Sequence, residues 1–93
     1  MDIVVGTDAL TLEPDEVATL DAELRRRDHD SHAGQRLREA LERGDPQATL
    51  RDSELGELAL ALHGLSDSGV LSDRLERLRE AVSGYFAGLE HGS

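Results

Sequence analysis

Apolar residues recur along this chain at intervals of three and four, the spacing that places them on one face of a helix. The pattern predicts four helices, over residues 14–28, 31–43, 52–63 and 72–90. Pro14 suits a first helical turn because its missing N–H needs no partner there, and Gly44 is typical of the residue that ends a helix. The N-caps expected for the other helices are Ser31, then Asp52 or Ser53, and Ser72.

The first twelve residues follow a different pattern. Ile3-Val4-Val5 is a β-branched run, and Gly6-Thr7-Asp8 reads as a turn before a second extended piece over residues 9–12. This order predicts a short N-terminal strand or hairpin. A further extended piece is expected at residues 48–50, and if the chain is an internal duplication this piece would pair with residues 9–12 about a pseudo-two-fold axis.

Two stretches of the chain resemble each other. TLEPDEVATLDAEL (residues 11–24) and TLRDSELGELALAL (residues 49–62) share five of fourteen positions, and LREAL at 37–41 recurs as LREAV at 78–82. A period near forty residues is typical of a two-helix repeat, although a capping residue before a Leu-spaced helix is also a common way to begin a helix.

The predicted fold is therefore mainly α, a four-helix bundle built as two helix pairs with a possible internal repeat and a short β element. We expect a single domain over residues 1–93. Its expected parts are a β element at 1–12, helix pairs at 13–46 and 47–90, and a tail at 91–93.

The last two helices present candidate interaction faces. From Leu58 onward the third helix is apolar nearly all round, which is typical of a buried central helix or of half an interface. In the fourth helix, apolar residues spaced 3-4-3-4 form a short coiled-coil seam, which could pack in the bundle or against a partner and also makes a homodimer through this helix plausible. The residues predicted to make apolar contacts with a partner are Leu60, Leu71, Leu75, Tyr85, Phe86 and Leu89.

The chain carries a net charge of −10, from twenty acidic residues against ten Arg and no Lys. Nine of the acids and three of the Arg lie in the first thirty residues. An acidic face there would repel nucleic acid and anionic lipid, so the expected partner is another protein with a basic or apolar groove. The residues predicted to guide that contact by charge are Asp15, Glu16 and Glu23.

The N-terminus shows no signal-peptide pattern and no stretch is long enough to span a bilayer, so a cytoplasmic location without membrane contact is expected. With no Cys, thiolate metal sites and Cys nucleophiles are excluded. His29 and His32, flanked by Asp28 and Asp30, have donor atoms for a metal, but no further ligand follows at a recognisable spacing. We therefore predict no metal site, no cofactor and no enzymatic activity, since the chain also lacks a glycine-rich phosphate loop and a nucleophile motif.

The segment Asp52-Ser53-Glu54-Leu55 is similar to the Asp-Ser-Leu motif of acyl and peptidyl carrier proteins. Those are small, acidic four-helix domains whose Ser carries phosphopantetheine, and the resemblance implies a modified Ser53. The chain departs from the family in placing Glu54 where Leu is expected and fifty-two residues before the Ser. An internal repeat would also be foreign to that fold. An ordinary N-cap would use the same Ser.

The function predicted from the sequence is non-enzymatic protein binding, as an adaptor, regulator or small assembly subunit that uses an apolar helix face and an acidic face. One alternative is an inhibitor that imitates nucleic acid, in which a carboxylate row occupies a basic groove. That row would comprise Asp8, Glu13, Asp15, Glu16, Asp21, Glu23, Asp28 and Asp30. The minor alternative is the carrier-like domain modified at Ser53.

Overall fold

The computed structural model describes residues 1–91, and of residues 89–91 the backbone alone. In this range the chain forms a small sheet and four helices. The elements are β1 (Asp2–Val5), β2 (Asp8–Thr11), α1 (Pro14–Arg27), α2 (His32–Arg43), β3 (Gln47–Thr49), α3 (Asp52–Asp67) and α4 (Asp73–His91). This architecture confirms the predicted mainly α fold with an N-terminal hairpin.

β1 and β2 form an antiparallel hairpin, and β3 lies parallel to β1 on its other side, so the strand order is β2-β1-β3. The two-residue loop of the hairpin begins with Gly6, whose φ of 61° favours glycine. The predicted pairing of residues 48–50 with residues 9–12 is wrong, because β1 separates the two segments. The carbonyl of Pro46 instead accepts the N–H of Asp2 at 2.9 Å and leads β3 into register with β1.

The first two helices begin and end close to the predicted residues. Asp28 caps α1, and the Ser31 hydroxyl accepts the N–H of Gly34 at 3.2 Å at the start of α2. Gly44 ends α2 in the left-handed conformation, with a φ of 69°.

The third helix differs from its prediction at both ends. Its N-cap is Arg51, whose N–H donates to the Glu54 side chain at 2.8 Å, so neither Asp52 nor Ser53 caps it. It also continues four residues beyond His63, to Asp67, because Gly64 and Leu65 are buried against the rest of the molecule. At the start of α4, the Ser72 hydroxyl accepts the N–H of Leu75 at 3.3 Å, as predicted.

Among the described residues the core contains nineteen buried apolar residues, which come from β1, β3, the four helices and the connecting residues Leu12 and Leu50, while Leu10 of β2 is partly buried against it. α3 is central to it, since α1, α2 and α4 all pack against this helix. This packing explains most of the apolar surface of α3, because Leu55, Leu58, Ala61, Leu62 and Leu65 are all buried in the core. No helix of the described chain has the length and apolar character needed to cross a bilayer. A true duplication of the two similar segments stays a prediction.

Candidate protein-binding surface

A cleft opens where the turn between α1 and α2 crosses the middle of α3. It encloses about 270 Å³ and is lined by Leu24, Arg27, Asp28, Ser31, Glu57 and Leu60. Leu60 projects from the outer side of α3 and is 60% exposed, the highest value among the large apolar residues of the described chain. An exposed Leu beside a concave surface on the central helix is a plain candidate for apolar contact with a partner.

One wall of the cleft is held by a small hydrogen-bond network. The buried Ser31 hydroxyl donates to Oε1 of Glu57 at 2.8 Å, and the backbone N–H of His32 donates to the same oxygen at 3.2 Å. The Ser31 hydroxyl also accepts the N–H of Gly34, so one side chain both caps α2 and ties it to α3. These bonds fix the turn relative to α3, and the cleft is therefore preformed.

The other wall is the C-terminal end of α1. The carboxylate of Glu23 accepts hydrogen bonds from Arg26 at 2.7 and 3.1 Å and lies 3.3 Å from Nε of Arg27. The Arg26 hydrogen bonds are the main reason that the pKa of Glu23 lies below its usual range. Gly64 of α3 makes this approach possible, since a Cβ there would lie 2.9 Å from Oε1 of Glu23 and would collide with the Arg27 guanidinium.

Two of the three acids predicted to guide a partner by charge are engaged within the protein. Glu23 is buried at the wall just described. Glu16 accepts a hydrogen bond from the Ser72 hydroxyl at 2.5 Å, which is the main cause of its lowered pKa, and it lies 3.5 Å from Arg74. Asp15 alone of the three is fully exposed. The acidic face is thus smaller than the sequence suggests.

The predicted apolar contact residues do not form one surface. Leu75 is 2% exposed and belongs to the core, where no partner reaches it in this fold. Leu71, Tyr85 and Phe86 are half-buried, and none of them lines the cleft that contains Leu60. Leu89 lies in α4, but its side chain is outside the described residues.

Tyr85 joins the end of α4 to the start of α3. Its hydroxyl donates to Oδ1 of Asp52 at 2.6 Å, and this hydrogen bond raises the pKa of Tyr85 above its usual 10.0. Its ring packs edge-on against Phe86, with 5.5 Å between ring centroids, and against Gly6 of the hairpin. The pair therefore has a structural role before any role in contact with a partner.

Two exposed apolar residues were not singled out from the sequence. Val70, in the turn before α4, is 57% exposed, and Leu41 on α2 is 39% exposed. The helical period could have found Leu41, because it lies one position after Ala40 and so turns away from the core side of α2. Val70 gave no periodic signal, since it belongs to a turn.

The side chains considered for chemistry are dispersed. Among the side chains that the structure describes, no group of three or more His, Asp or Glu is arranged to hold a metal ion, and His29 and His32 are exposed. Burial favours a raised pKa for Glu54, but hydrogen bonds from Arg36 at 2.7 Å and from the Arg51 backbone outweigh it and lower the pKa. Glu54 is thus an ionised capping and pairing residue.

Ser53 lies in the first turn of α3 and is exposed. It sits at the rim of a second cleft, of about 330 Å³, that also includes Arg36 and Arg51. Its hydroxyl forms no hydrogen bond with the described residues, so it is not the N-cap that its position in the sequence suggests.

The chain matches no protein-family model, no curated protein and no solved structure.

Proposed function

We propose that this chain is a non-enzymatic protein-binding module, an adaptor, regulator or small assembly subunit, and that its principal contact surface is the cleft beside Leu60. The observation that carries the proposal is the 60% exposure of Leu60 on a central helix whose other four Leu residues are buried. A partner that inserts an apolar side chain beside Leu60 would cover the Leu and exclude water from the cleft.

The charges around the cleft indicate what kind of partner suits it. The carboxylates of Asp28 and Glu57 have no Arg partner within the described residues, whereas Arg27 is paired with Glu23. An apolar anchor flanked by a basic side chain would meet Leu60 and these two carboxylates together. Asp30, exposed in the same turn, extends the negative rim.

A matched pair of variants tests the proposal. Leu60→Gln removes the exposed apolar side chain, and Leu41→Gln makes the same change at the exposed Leu of α2, outside the cleft. The tagged wild-type chain and both variants are used to capture partners from a lysate of the source organism. A specific partner retained by the wild type and by Leu41→Gln, and lost with Leu60→Gln, is the expected result. Retention by all three chains, or recovery of no partner, would contradict the proposal.

The nucleic-acid-mimic alternative receives less support from the geometry. Four members of the carboxylate row are engaged by side chains of the protein, since Glu13 pairs with Arg74 at 2.8 Å and Asp21 with Arg25 at 3.0 Å, in addition to Glu16 and Glu23. A mimic needs carboxylates that are free to replace phosphates.

One observation favours a second candidate function, the carrier modified at Ser53. The exposed hydroxyl is not used as an N-cap, so its presence has no structural explanation within the described residues. Intact-mass measurement of the protein purified from its source organism distinguishes the two functions. An adduct that maps to Ser53 supports the carrier, and an unmodified chain that co-purifies with a protein supports the binding module.

A further inference from the structure

The hairpin leaves one edge of the sheet open, and that edge is β2. Its backbone orientation follows from the far end of the ladder, where the N–H of Leu12 donates to the Met1 carbonyl at 2.8 Å and the Met1 amine donates to the Leu12 carbonyl at 2.9 Å. Bonded and non-bonded pairs alternate in an antiparallel ladder, so Leu10 and Asp8 also direct their backbone groups toward β1.

The other two residues of β2, Ala9 and Thr11, therefore direct their N–H and C=O groups away from β1. No turn, cap or side-chain hydrogen bond of the described residues uses these groups. Both residues are exposed. β2 thus offers two consecutive outward positions of a strand ladder, each with a donor and an acceptor.

A groove runs along this open edge between β2 and α4. It encloses about 280 Å³ and is lined by Ala9, Leu10, Thr11, Arg74 and Arg77. Arg74 is paired with Glu13, whereas Arg77 forms no ion pair with the described residues. An uncompensated guanidinium therefore lies beside unpaired backbone groups, in a chain whose net charge is −10.

The opposite edge of the sheet is less suited to adding a strand. β3 is one residue shorter and follows directly after Pro46, which has no N–H to offer. β2 has no Pro and no bulge, and its one charged residue, Asp8, lies at the end next to the hairpin loop. Short length and an adjacent Pro, which usually protect an edge strand from pairing with another chain, are therefore found at β3. The middle of β2 has no Pro, bulge or charged residue to protect it.

We propose that the outer edge of β2 binds an extended acidic segment of another protein, which adds to the sheet as a further strand. The backbone of the segment bonds to Ala9 and Thr11, and one of its carboxylates pairs with Arg77. A second copy of this chain is a poorer occupant, because two bodies of charge −10 repel each other far more than a short segment with one carboxylate is repelled. The edge of β2 shares no lining residue with the Leu60 cleft. This proposal is therefore independent of the function proposed for the Leu60 cleft.

A synthetic peptide is the first probe. The acetylated and amidated pentapeptide Thr-Val-Glu-Val-Thr is titrated into the isotope-labelled chain while backbone amide NMR signals are recorded. We expect saturable shifts at Ala9, Thr11 and the neighbouring turn of α4, with slowed hydrogen exchange at the Ala9 and Thr11 amides. The same peptide with Gln in place of Glu is expected to bind about two- to fivefold more weakly, the range for one exposed ion pair.

Two variants locate the site. Ala9→Pro removes an outward N–H and leaves the β1 ladder intact, so binding should be lost while the remaining spectrum keeps its dispersion. Arg77→Gln should weaken binding of the Glu peptide about two- to fivefold. Arg43→Gln changes an exposed Arg on α2, paired with Glu39 at 3.4 Å, and should leave binding unchanged.

Several results would overturn the proposal. They are the absence of saturable shifts with either peptide, shifts centred outside β2 and α4, and equal affinity of the wild type and Arg77→Gln for the Glu peptide. Concentration-dependent dimerisation with protected Ala9 and Thr11 amides in the absence of peptide would identify a second copy as the occupant, and would also overturn it. If Ala9→Pro fails to fold, two peptides replace it, one N-methylated at its central residue and one at the residue after it. Neighbouring N–H groups of a strand face opposite sides, so one of the two must lose a bond to β2, and undiminished binding of both counts against strand addition.

Discussion

Helices α3 and α4 carry similar numbers of apolar residues but differ in how much of their surface the fold covers. α3 is enclosed by three other helices and leaves Leu60 on its outer side, whereas α4 packs on α3 and the hairpin and buries a narrow stripe, which is Leu75, Leu78 and Val82. The apolar character of a helix alone therefore does not separate residues that pack within the fold from residues left exposed. On α3 the exposed residue, Leu60, is the basis of the binding surface that we propose.

The largest expected effect is a difference in stability between two variants of α3, with substitutions at Leu58 and at Leu60. Leu58 is fully buried, so Leu58→Ala should lower the free energy of unfolding by about 2–5 kcal/mol, through lost apolar burial and the cavity left behind. Leu60→Ala should change it by less than about 0.5 kcal/mol, because the side chain is already exposed. Urea unfolding of both variants measures the difference. Similar losses for the two would show that Leu60 is part of the core.

The next effect concerns two carboxylates that hold the starts of these helices, Glu54 within α3 itself and Glu16 of α1, which bonds to the N-cap of α4. Glu54 is buried at the start of α3 and bonds to Arg36, and Glu54→Gln should cost about 1.5–3 kcal/mol, the range for a hydrogen bond to a charged group. Glu16, which bonds to Ser72 at the start of α4, is more exposed, and Glu16→Gln should cost less. Urea unfolding at neutral pH checks the order, and a larger loss for Glu16→Gln would contradict it.

The same carboxylates determine the response to acid. The pKa values of Glu16, Glu23 and Glu54 in the folded chain lie below the 4.5 of an unperturbed Glu. Their stabilisation is therefore fully present above pH 4.5 and is lost as the pH falls from 4.5 through the folded pKa values, because the unfolded chain binds protons first. Urea midpoints measured at decreasing pH should fall in this window and fall less steeply in Glu54→Gln. A midpoint independent of pH there would contradict the assignment of these ion pairs.

A pair of glycine substitutions gives a smaller effect of opposite sign in the two helices. Gly84→Ala in α4 meets open space and should stabilise the chain by about 0.8–1 kcal/mol through helix propensity. Gly64→Ala in α3 displaces Arg27 and Glu23, and we expect a net loss of about 1 kcal/mol. Thermal unfolding of both variants measures the contrast. Equal stabilisation would mean that α1 is not held as closely against α3 as the structure shows.

The smallest expected effect on stability is at the hydrogen bond between Tyr85 of α4 and Asp52 of α3. Tyr85→Phe removes the hydrogen bond to Asp52 and should lower the free energy of unfolding only slightly, because water competes for this exposed bond. Tyr85 is the single Tyr of the chain, so phenolate absorbance reports its pKa directly. That pKa should exceed 10.0 in the folded chain and return toward 10.0 in Asp52→Asn. An unshifted value in the wild type would remove this link between α3 and α4.

Much of the fold could be predicted from local signals. Pro14, Ser31 and Gly44 act at helix ends through their own backbone chemistry, and the hairpin was visible in its β-branched run and glycine turn. Such features depend on residues a few positions apart, which is why they were readable in the sequence.

Features that depend on distant parts of the chain were not readable. The parallel partner of β3, the extension of α3 past Gly64 and the engagement of Glu16 by Ser72 each join residues far apart in sequence. The candidate site has the same character. Leu60 could be named from its helix, but the cleft beside it exists because the Ser31 hydroxyl meets Glu57 across twenty-six positions.

Photo-crosslinking in the source organism shows whether a partner protein contacts the cleft beside Leu60. A photoreactive aromatic residue is placed at position 60 on α3 or, in a second strain, at position 86 on α4, where Phe86 is half-buried. The account predicts a discrete adduct with one partner protein from position 60 and none of that adduct from position 86. An adduct from position 86 alone, or no adduct from position 60, would contradict the claim that the Leu60 cleft is the binding surface.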